Sequence, residues 1–528
     1  FEYLKMDSPE SGYTSSGDDA VTQLLRRVEM CTRRRDNWVP VLEECYDYTM
    51  PLRESFFNET PGQRRGDKIY DETAVVGVQE FASRLQSGIV PTFARWAEFK
   101  AGSENPPDTR DEINEQLDEV TKYVFEVIEN SNFNQEIHES FLDLAVGTAC
   151  LLVEEGDSGS PVNFQAVPLP QVILEAGPDG SVAGVFRKRK VRLQDLTVIW
   201  PEADIDISTS HKMDKSPYQE IEVIECTVRN YDVLPEESSS YFVIVDKKII
   251  YSEEYEGTGR NPWVVFRWSK SSGEVYGRGP IMNSLSAIKT CNLTVELILE
   301  NAQMSISGMY QVDDDGTINT DNINLVPGTI IPRIPGTAGL QPVQAAGKFD
   351  VAGLVLEDMR SNIKRALYND MLGNPNRTPM SATEVAERMA DLSRQIGSAF
   401  GRLQAELVQP LLARVVHILV GQGRINIPVV NGRQVKVVSV SPLSRAQLQQ
   451  DIVTVDRFLE LIMGRFGPQM LNTFIDGEKT AQYIAEKLGI PQSLIRSEEE
   501  REQIAQAIAQ LQAQAQQQGG LEGEESAA

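Results

Sequence analysis

Side chains that could support catalysis are scattered along this 528-residue chain instead of being grouped. The three histidines, His138, His211 and His417, lie far apart, and none belongs to an HExxH zinc motif. We interpret each as a structural or surface residue. The sequence has no Walker-type phosphate loop, and the turn Gly277–Pro280 has too few glycines for a dinucleotide-binding fingerprint. An enzyme is therefore not predicted, and we assign no catalytic residue and no cofactor.

The acidic run Asp313-Asp314-Asp315, followed by Gly316, is the best candidate for a metal site. If Gly316 took the sixth position of a calcium-binding EF-hand loop, Gln311 would be first and Asn322 last, where carboxylates are required. The pattern fails at both ends. We predict a hairpin turn with a solvated acidic tip and no metal site.

Two basic features could contact nucleic acid. Arg187–Lys190 (RKRK) lies in an alternating strand, and one face of it could bind nucleic acid or an acidic partner. A solvated sheet face is the favoured interpretation. Arg377 lies in LGNPNRTPM (Leu372–Met380), a loop of turn-forming residues directly before a long helical pattern. That context makes Arg377 the best candidate for a DNA contact.

The composition restricts the function further. The net charge of −27 argues against tight binding of nucleic acid through a basic surface. This negative charge is consistent with high solubility, or with a surface past which DNA moves without binding tightly. The five cysteines form no CxxC pair and predict a reducing cytoplasm instead of a disulfide framework. No membrane span is predicted, because the most apolar run, LLARVVHILV, contains Arg414 and His417.

The periodicity predicts helices, then an antiparallel β region, then helices again, so the fold class is α+β and mainly α. The predicted helices before the β region are 21–48, 71–89, 109–130 and 134–146, and residues 148–270 alternate with period two. Helices are expected again from Pro280 and over 351–368. Strands are expected at Ile425–Val430 and in QVKVVSVS, and helix from Ser444 onward.

The longest helical pattern runs from Ser381 to about Val420. Ser381 and Glu384 form a capping box at its start. About 40 residues at 1.5 Å each would extend about 60 Å. Kinks are expected at Gly397-Ser398, Gly401 and Pro410.

Several local motifs occur in an order that resembles one family. The most specific are SATEVAER (Ser381–Arg388), SPLSRAQ (Ser441–Gln447) and GEVYGRGP (Gly273–Pro280). Weaker ones are IYDET (Ile69–Thr73), VGTACLLVEE (Val146–Glu155) and VFRKRKVRLQDL (Val185–Leu196). Over about residues 21 to 505 the chain resembles the portal (head-to-tail connector) proteins of short-tailed, podovirus-type tailed bacteriophages.

The resemblance implies a portal fold assembled as a ring. A flexible arm (1–20) would precede an α/β wing (21–279), with return strands at 424–443. Two stem helices (280–303 and 351–370) would flank a clip (304–350). A tunnel loop (371–380), the long kinked helix (381–423), a helical crown (444–505) and a Gln-rich tail (506–528), forming a barrel or disordered, would complete the chain.

The function implied is a dodecameric ring at the unique capsid vertex, through which double-stranded DNA is packaged and later ejected. Asn374, Asn376 and Arg377 would make weak, sequence-independent DNA contacts. The clip aspartates Asp313, Asp314 and Asp315 would help to dock the terminase large subunit and then the tail adaptor protein. Further partners would be the major capsid protein and the scaffold. The protein would be made in the bacterial host cytoplasm and reside in the virion.

Two alternatives remain open from the sequence. One is another ring-shaped virion component, such as a tail adaptor or an internal core protein. The other is a nuclease that uses carboxylates and a metal, since 77 acidic residues make chance carboxylate pairs abundant.

Overall fold

The computed structural model describes residues 17–53, 68–92, 94–106, 109–157, 159–231, 238–307, 310–311, 341–342, 349–369, 395–428, 430–466, 475 and 477–488. The chain divides into two compact units. The first comprises Phe1–Pro40, Phe81–Gly279 and Met371–Ala528, and the second comprises Val41–Glu80 and Pro280–Asp370. The fold is a mixture of helix and sheet and is 54% helical, in agreement with the predicted α+β class.

The elements are as follows. The helices are α1 (Gly17–Asp36), α2 (Val39–Thr49), α3 (Thr73–Ile89), α4 (Arg110–Glu129), α5 (Phe133–Val146), α6 (Leu196–Ile199), α7 (Ile207–Lys215), α8 (Pro280–Ser307), α9 (Phe349–Ala366), α10 (Gly397–Gly421), α11 (Pro442–Phe466) and α12 (Gly477–Leu488). The strands are β1 (Ala97–Ala101), β2 (Thr148–Glu155), β3 (Val162–Val167), β4 (Val172–Ala176), β5 (Val182–Arg192), β6 (Glu220–Asn230), β7 (Ser238–Val245), β8 (Lys248–Glu256), β9 (Trp263–Arg267), β10 (Tyr310–Gln311), β11 (Gln341–Pro342) and β12 (Val435–Ser439).

The first unit is built on three antiparallel sheets. The largest has the order β4-β5-β6-β7-β8, the second β3-β2-β9, and the third pairs β1 with β12. The two-stranded sheet joins distant parts of the sequence, since Ala97 pairs with Ser439 and Ala101 with Val435. QVKVVSVS thus contains a strand, as predicted, and its partner β1 is a strand between α3 and α4 that the periodicity did not predict.

The five-stranded sheet has an apolar core on each face. Phe186, Cys226 and Ile244 face α1, where Val28 and Cys31 are buried. Val223, Val243 and Val245 face the opposite side and pack with a group that includes Trp200, Leu193 and Leu196. Successive strand residues point to opposite faces. A strand buried on both faces is apolar at nearly every position, as the YFVIV segment of β7 is.

The GEVYGRGP motif makes a close backbone crossing within the first unit. The N–H of Gly279 donates to the carbonyl of Val146 at 2.8 Å, and the N–H of Gly277 donates to the hydroxyl of Thr148 at 2.7 Å. A Cβ on Gly277 would lie 2.3 Å from the carbonyl oxygen of Gly147, and one on Gly279 would lie 2.1 Å from that of Ala145. Only glycine allows the two backbones to approach this closely.

The second unit is centred on α8 and α9, which pack against each other. Ile281, Ile288 and Cys291 of α8 are buried, as are Ile363 of α9 and Leu367 just after it. The two-residue strands β10 and β11 pair between these helices in sequence, Tyr310 opposite Pro342. Between these helices in sequence, the described residues therefore contain one short antiparallel pairing.

Several boundaries differ from those predicted. The helix expected over 21–48 is divided at residues 37–38, because Pro40 has no N–H to donate to the carbonyl four residues earlier. The region 148–270 is not wholly β, since it contains α7. Within it, the alternating segment Tyr241–Tyr251 is not one continuous strand but contains the turn of the hairpin β7–β8, with Asp246 and Lys247 in the left-handed region at φ of 47° and 64°.

The strand predicted at Ile425–Val430 is also wrong. Of that segment the structure describes residues 425–428 and 430, and it assigns no strand to them. Pro428 cannot donate a ladder hydrogen bond, so alternation of apolar side chains is insufficient here.

Candidate functional site

The site residues predicted from sequence lie outside the described residues. This applies to Asp313, Asp314 and Asp315, to Asn374, Asn376 and Arg377, and to the capping box at Ser381 and Glu384. The described part of the long helical pattern is α10 with the two residues before it. It is held in the first unit by a group of residues that we call the helix joint: Arg267, Glu406, Pro410 and Arg414.

The helix joint contains an irregular turn. Within α10, Gln404–Val408 form a π-helical turn between the α-helical segments Gly397–Leu403 and Gln409–Gly421. Pro410 follows this turn directly. Proline donates no backbone hydrogen bond, and its ring clashes with the carbonyl four residues earlier, here that of Glu406. The irregularity predicted at Pro410 is thus present as a wider turn, which accommodates the ring.

The other kinks predicted for this helix give a mixed result. A turn interrupts the helix at Ile396, next to Gly397, so an irregularity is present there. Gly401 lies within the regular segment Gly397–Leu403 and marks no kink. The glycine alone therefore does not distort the helix.

Glu406, in the π turn, forms an ion pair with Arg267 at the end of β9. The Nη2 and Nε of Arg267 donate to the two carboxylate oxygens at 2.5 and 3.1 Å, and the backbone N–H of Arg267 donates to Oε2 at 3.0 Å. A further guanidinium N–H donates to the carbonyl of Val275 at 3.2 Å. The side chain of Arg267 is 5% exposed and that of Glu406 21% exposed. A buried bidentate pair of this kind fixes orientation as well as distance.

Arg414, two turns further along α10, binds backbone carbonyls. Its guanidinium donates to the carbonyl of Val153 in β2 at 3.0 Å and to that of Arg260 at 2.7 Å. Burial lowers the pKa of Arg414, but a guanidinium remains protonated in proteins. Gly259, at φ of 80°, permits the loop to approach α10, since a Cβ there would lie 2.5 Å from the carbonyl oxygen of Ala413.

A cavity of about 520 Å³ lies beside the helix joint. Its lining includes Glu406, Gln409 and Pro410 from α10, Asn431 from the segment before β12, and Lys436 in β12. The distorted turn and its ion pair, Arg267 with Glu406, therefore both border this open space. Such a helix has room to change its bend without displacing packed core residues.

The IYDET motif organises the second unit. Asn292 of α8 accepts the backbone N–H groups of Tyr70 and Asp71 at 2.7 and 3.1 Å and donates to the carbonyl of Lys68 at 2.9 Å. Asp71 accepts the N–H of Thr73 at 3.0 Å and pairs with Arg360 of α9 at 2.6 Å. Burial by itself raises the pKa of Asp71, but the hydrogen bonds from Thr73 and Arg360 outweigh it and lower the pKa. This short segment links α8 to α9.

The SPLSRAQ motif caps α11. Ser441 is fully buried and accepts the N–H of Ser444 at 3.3 Å, and the Ser444 hydroxyl donates to that of Ser439 at 2.8 Å. Serine at this position satisfies an amide that the helix itself leaves without a partner.

The RKRK segment is divided between the two faces of β5: Lys190 is exposed and Lys188 half-buried on one face, as a solvated face requires, whereas Arg187 and Arg189 on the other face are covered. Arg187 is 3% exposed and donates to the side-chain oxygens of Gln171 and Gln165 at 3.2 and 3.4 Å. Arg189 pairs with the buried Glu225 at 2.7 Å. Both side chains lie on the face of the sheet that packs with Trp200 and Val223. They therefore give no support to a nucleic-acid contact there.

Other features in the described ranges match no reactive site. They contain no group of three or more His, Cys, Asp or Glu residues arranged to hold a metal ion. The Nδ1 of His138 lies 3.2 Å from the amide oxygen of Gln86. The helix α10 is long and apolar enough to span a membrane by composition, with 56% of its most apolar window buried. A core helix of a soluble protein passes the same test, and Leu411, Val415 and Leu419 are fully buried.

Sequence reasoning did not find the Arg267–Glu406 pair. Glu406 is the one acidic residue between Gly397 and Gly421, four positions before Pro410. A single carboxylate in an otherwise apolar helix is a signal, because a charge is rarely buried without a partner. The identity of that partner, 139 residues away, depends on the tertiary fold.

The chain belongs to the family of bacteriophage head to tail connecting proteins, whose family model matches residues 21–495. It is 23% identical over 523 residues to a protein named probable portal protein of Bordetella phage BPP-1, covering 94% of this chain and 92% of that one. It is 22% identical over 529 residues to the portal protein of Salmonella phage epsilon15, covering 94% of each.

These relatives confirm the resemblance stated from the motifs and give the chain a structural, connecting role between phage head and tail. They match almost end to end under the name of portal protein, so the tail-adaptor, core-protein and nuclease alternatives gain no support. Among solved structures, chains from the virion of a native gene transfer agent particle and from the neck of an empty one align with 12% and 13% identity. Each covers 80% of this chain and 94% of the other at a TM-score of 0.35, which adds nothing to the assignment.

We expect Glu406→Gln to destabilise the protein, because it leaves the buried guanidinium of Arg267 without its counter-ion. Loss of one partner of a buried ion pair is costly, and the partial exposure of Glu406 reduces the expected loss to about 2–3 kcal/mol. The measurement is urea unfolding of the purified chain. The matched control is Glu274→Gln, which removes an exposed pair with Arg278 and should cost less than about 0.5 kcal/mol. Equal losses in both variants would show that the buried pair has no special weight.

Proposed function

We propose that this chain assembles into a dodecameric ring at the unique vertex of a phage capsid, and that the ring is the channel for packaging and ejecting double-stranded DNA. The main support for the proposal is the length of the family match, which spans residues 21–495 and includes both units. The number twelve rests on the resemblance to portal proteins.

The surface of α8 supports assembly into a ring. Leu293, Leu297 and Leu299 are each more than half exposed, and Leu354 of α9 is 73% exposed. Leu297 and Leu299 are two residues apart and so point to nearly opposite sides of the helix. A ring built from heterologous contacts places one neighbour on each side of every subunit. Apolar side chains on two sides of one helix fit this arrangement.

The parts of the chain take the roles that the resemblance implies. Residues 21–279 and 424–443 would be the wing, 280–303 and 351–370 the stem helices lining the channel, and 304–350 the clip. Residues 444–505 would form the crown. In support, α8 and α9 pack against each other and are separated in sequence by the short strands β10 and β11.

We assign the tunnel loop to residues 371–380, with Arg377, Asn374 and Asn376 reaching toward the DNA. The net charge of −27 per subunit gives the ring an acidic character that repels phosphate and lowers friction. A few basic and amide groups in the loop would then make weak contacts that do not depend on sequence. The helix joint would anchor the far end of the long helix, and the cavity beside Pro410 would let the helix bend as the loop moves.

The partners follow from the same role. The clip would dock the terminase large subunit during packaging and the tail adaptor protein afterwards. The major capsid protein and the scaffold would contact the ring during assembly in the bacterial cytoplasm. The five cysteines are free and buried, which is compatible with a reducing compartment.

The first test is the mass and symmetry of the purified protein. We expect light scattering and electron-microscope class averages to show rings of about twelve 58.8 kDa subunits with an open axial channel. Leu293→Lys combined with Leu297→Lys should shift the protein toward monomer, because each lost leucine contact removes about 1.5–3 kcal/mol. Leu52→Lys, at a residue 90% exposed, is the control and should leave rings intact. A closed dimer in the unmodified protein would refute the ring.

The tunnel loop is tested with Arg377→Ala in particles that package DNA in vitro. We expect DNA to slip back about twofold to fivefold faster, because an exposed charge contact contributes about 1 kcal/mol or less. The change should be equal for DNA of different base composition, since phosphates carry no sequence information. Arg33→Ala, on the exposed surface of α1, is the control. Slippage unchanged by Arg377→Ala would remove this residue from the channel.

The clip is tested by reversing the charge of Asp313, Asp314 and Asp315 to lysine. We expect the affinity of the ring for the terminase large subunit or the tail adaptor to fall about tenfold or more, because like charges then face each other. The control reverses three exposed carboxylates of α4: Glu112, Glu115 and Glu119. Both variants change the net charge equally. Binding that is unaffected in the clip variant, or equally weakened in both, would contradict the assignment.

A further inference from the structure

A second cavity in the first unit, which shares Tyr255 and Trp263 with the cavity beside the helix joint, has an unusual lining. Its volume is about 380 Å³, and it opens between β8, the segment after α6 and the start of β9. Five aromatic side chains contribute to it: Trp200, Tyr241, Tyr251, Tyr255 and Trp263. Four carboxylates do as well: Glu154, Glu202, Glu225 and Glu253. One liquid-like water occupies about 30 Å³, so the space is large enough for an organic group.

The floor of this cavity already accommodates a cation beside an aromatic ring. The guanidinium carbon of Arg189 lies 5.4 Å from the ring centroid of Trp200, and its Nε donates to Glu225 at 2.7 Å. The hydroxyl of Tyr241 donates to the other oxygen of Glu225 at 3.0 Å, and the indole N–H of Trp200 donates to Tyr241 at 3.2 Å. This network is complete and holds the aromatic rings in place.

The rim of the cavity differs from its floor. Glu154, Glu202 and Glu253 are exposed, and within the described part of the chain none of the three forms an ion pair. Glu253 accepts only the hydroxyl of Tyr251, at 3.1 Å. Two more guanidinium groups lie nearby but donate elsewhere: Arg187 to glutamine side chains and Arg414 to backbone carbonyls. Among the described residues, none of the three rim carboxylates therefore forms an ion pair, and the guanidinium groups of Arg187, Arg189 and Arg414 interact with Glu154 only over a longer distance.

We propose that this cavity binds a primary alkylammonium group. The faces of Trp and Tyr rings attract organic cations, whereas calcium and magnesium require shells of oxygen ligands and gain nothing from aromatic faces. An ammonium group has three N–H donors, which equals the number of rim carboxylates. Leu152, Ile199, Pro201 and Pro262 also line the cavity and can pack against an aliphatic stem. The group would come from a small diamine or from a lysine side chain of another protein.

The experiment is calorimetric titration of the full chain with two probes, 1,5-diaminopentane and Nα-acetyl-lysine methylamide, at constant ionic strength. Trp200 and Trp263 provide a second readout, because their fluorescence should change as the cavity fills. We expect saturable binding of one probe molecule per chain. Glu202→Gln and Glu253→Gln should each weaken it about threefold to fivefold, which corresponds to an exposed charge contact.

Glu254→Gln is the matched control. Glu254 is exposed and adjacent to Glu253 in β8, but it points to the other side of the strand. It carries the same charge without lining the cavity, and it should leave binding unchanged. Urea unfolding of each variant separates loss of binding from loss of fold.

The outcomes distinguish the sources of the group. Binding of the diamine supports a free amine as the ligand, and binding of the lysine derivative alone supports a lysine side chain from a partner. No saturable binding of either probe would overturn the proposal. Equal weakening by Glu253→Gln and Glu254→Gln would also overturn it, since that result would reflect only the general attraction of a chain of charge −27 for cations.

Discussion

The buried ion pair between Arg267 and Glu406 is the interaction on which the architecture of the first unit most depends. It joins the end of β9 to the π turn of α10 across 139 residues of sequence. Removing two charges from water is expensive, and only good geometry with additional hydrogen bonds offsets the expense. Here the carboxylate accepts three N–H groups, all from Arg267, and the guanidinium also binds the carbonyl of Val275. The pair therefore specifies where the helix lies and how it is turned.

Elsewhere too, polar side chains bind backbone groups of a neighbouring segment and so hold two elements together. Asn292 and Asp71 attach an irregular segment to two helices in the second unit. Arg414 attaches α10 to β2 and the loop before β9. Gly147, Gly277 and Gly279 also join two segments, because the backbones cross there too closely for any residue with a Cβ. Such contacts are directional, whereas apolar packing is not, so they fix the geometry of the segments that they join.

The described residues divide into rigid and open regions. Core positions of the five-stranded sheet are apolar on both faces and leave little freedom. By contrast, the π turn faces one cavity, and the aromatic residues around Trp200 line another. Open space beside a distorted helix permits motion, and open space lined by rings and carboxylates permits binding. We therefore associate the cavity beside the π turn with motion of α10 and the cavity beside Trp200 with ligand binding, although both lie in the first unit.

Periodicity located most helices closely, including α4, α5 and the start of α8, because amphipathic spacing depends on local sequence alone. It failed where a local signal competes with the pattern. Pro40 divides the first helix, Asp246 and Lys247 form the turn of the β7–β8 hairpin, and the described residues around Pro428 form no strand. Each of three motifs that carried the family resemblance has a specific structural role. GEVYGRGP is a backbone crossing, SPLSRAQ a helix cap and IYDET a polar link between two helices.

The sequence by itself determined the α+β class, the order of the elements and, through its motifs, membership of the head-to-tail connector family. Charge and the lack of catalytic motifs pointed away from an enzyme. Only the tertiary structure decided which polar residues pair, because a side chain finds partners by distance in space and not by spacing in sequence. Arg187, which appeared to be part of a surface patch, is buried, whereas Glu406, an isolated acid in an apolar helix, forms the central ion pair. Burial and pairing are properties of the assembled chain, and no local pattern encodes them.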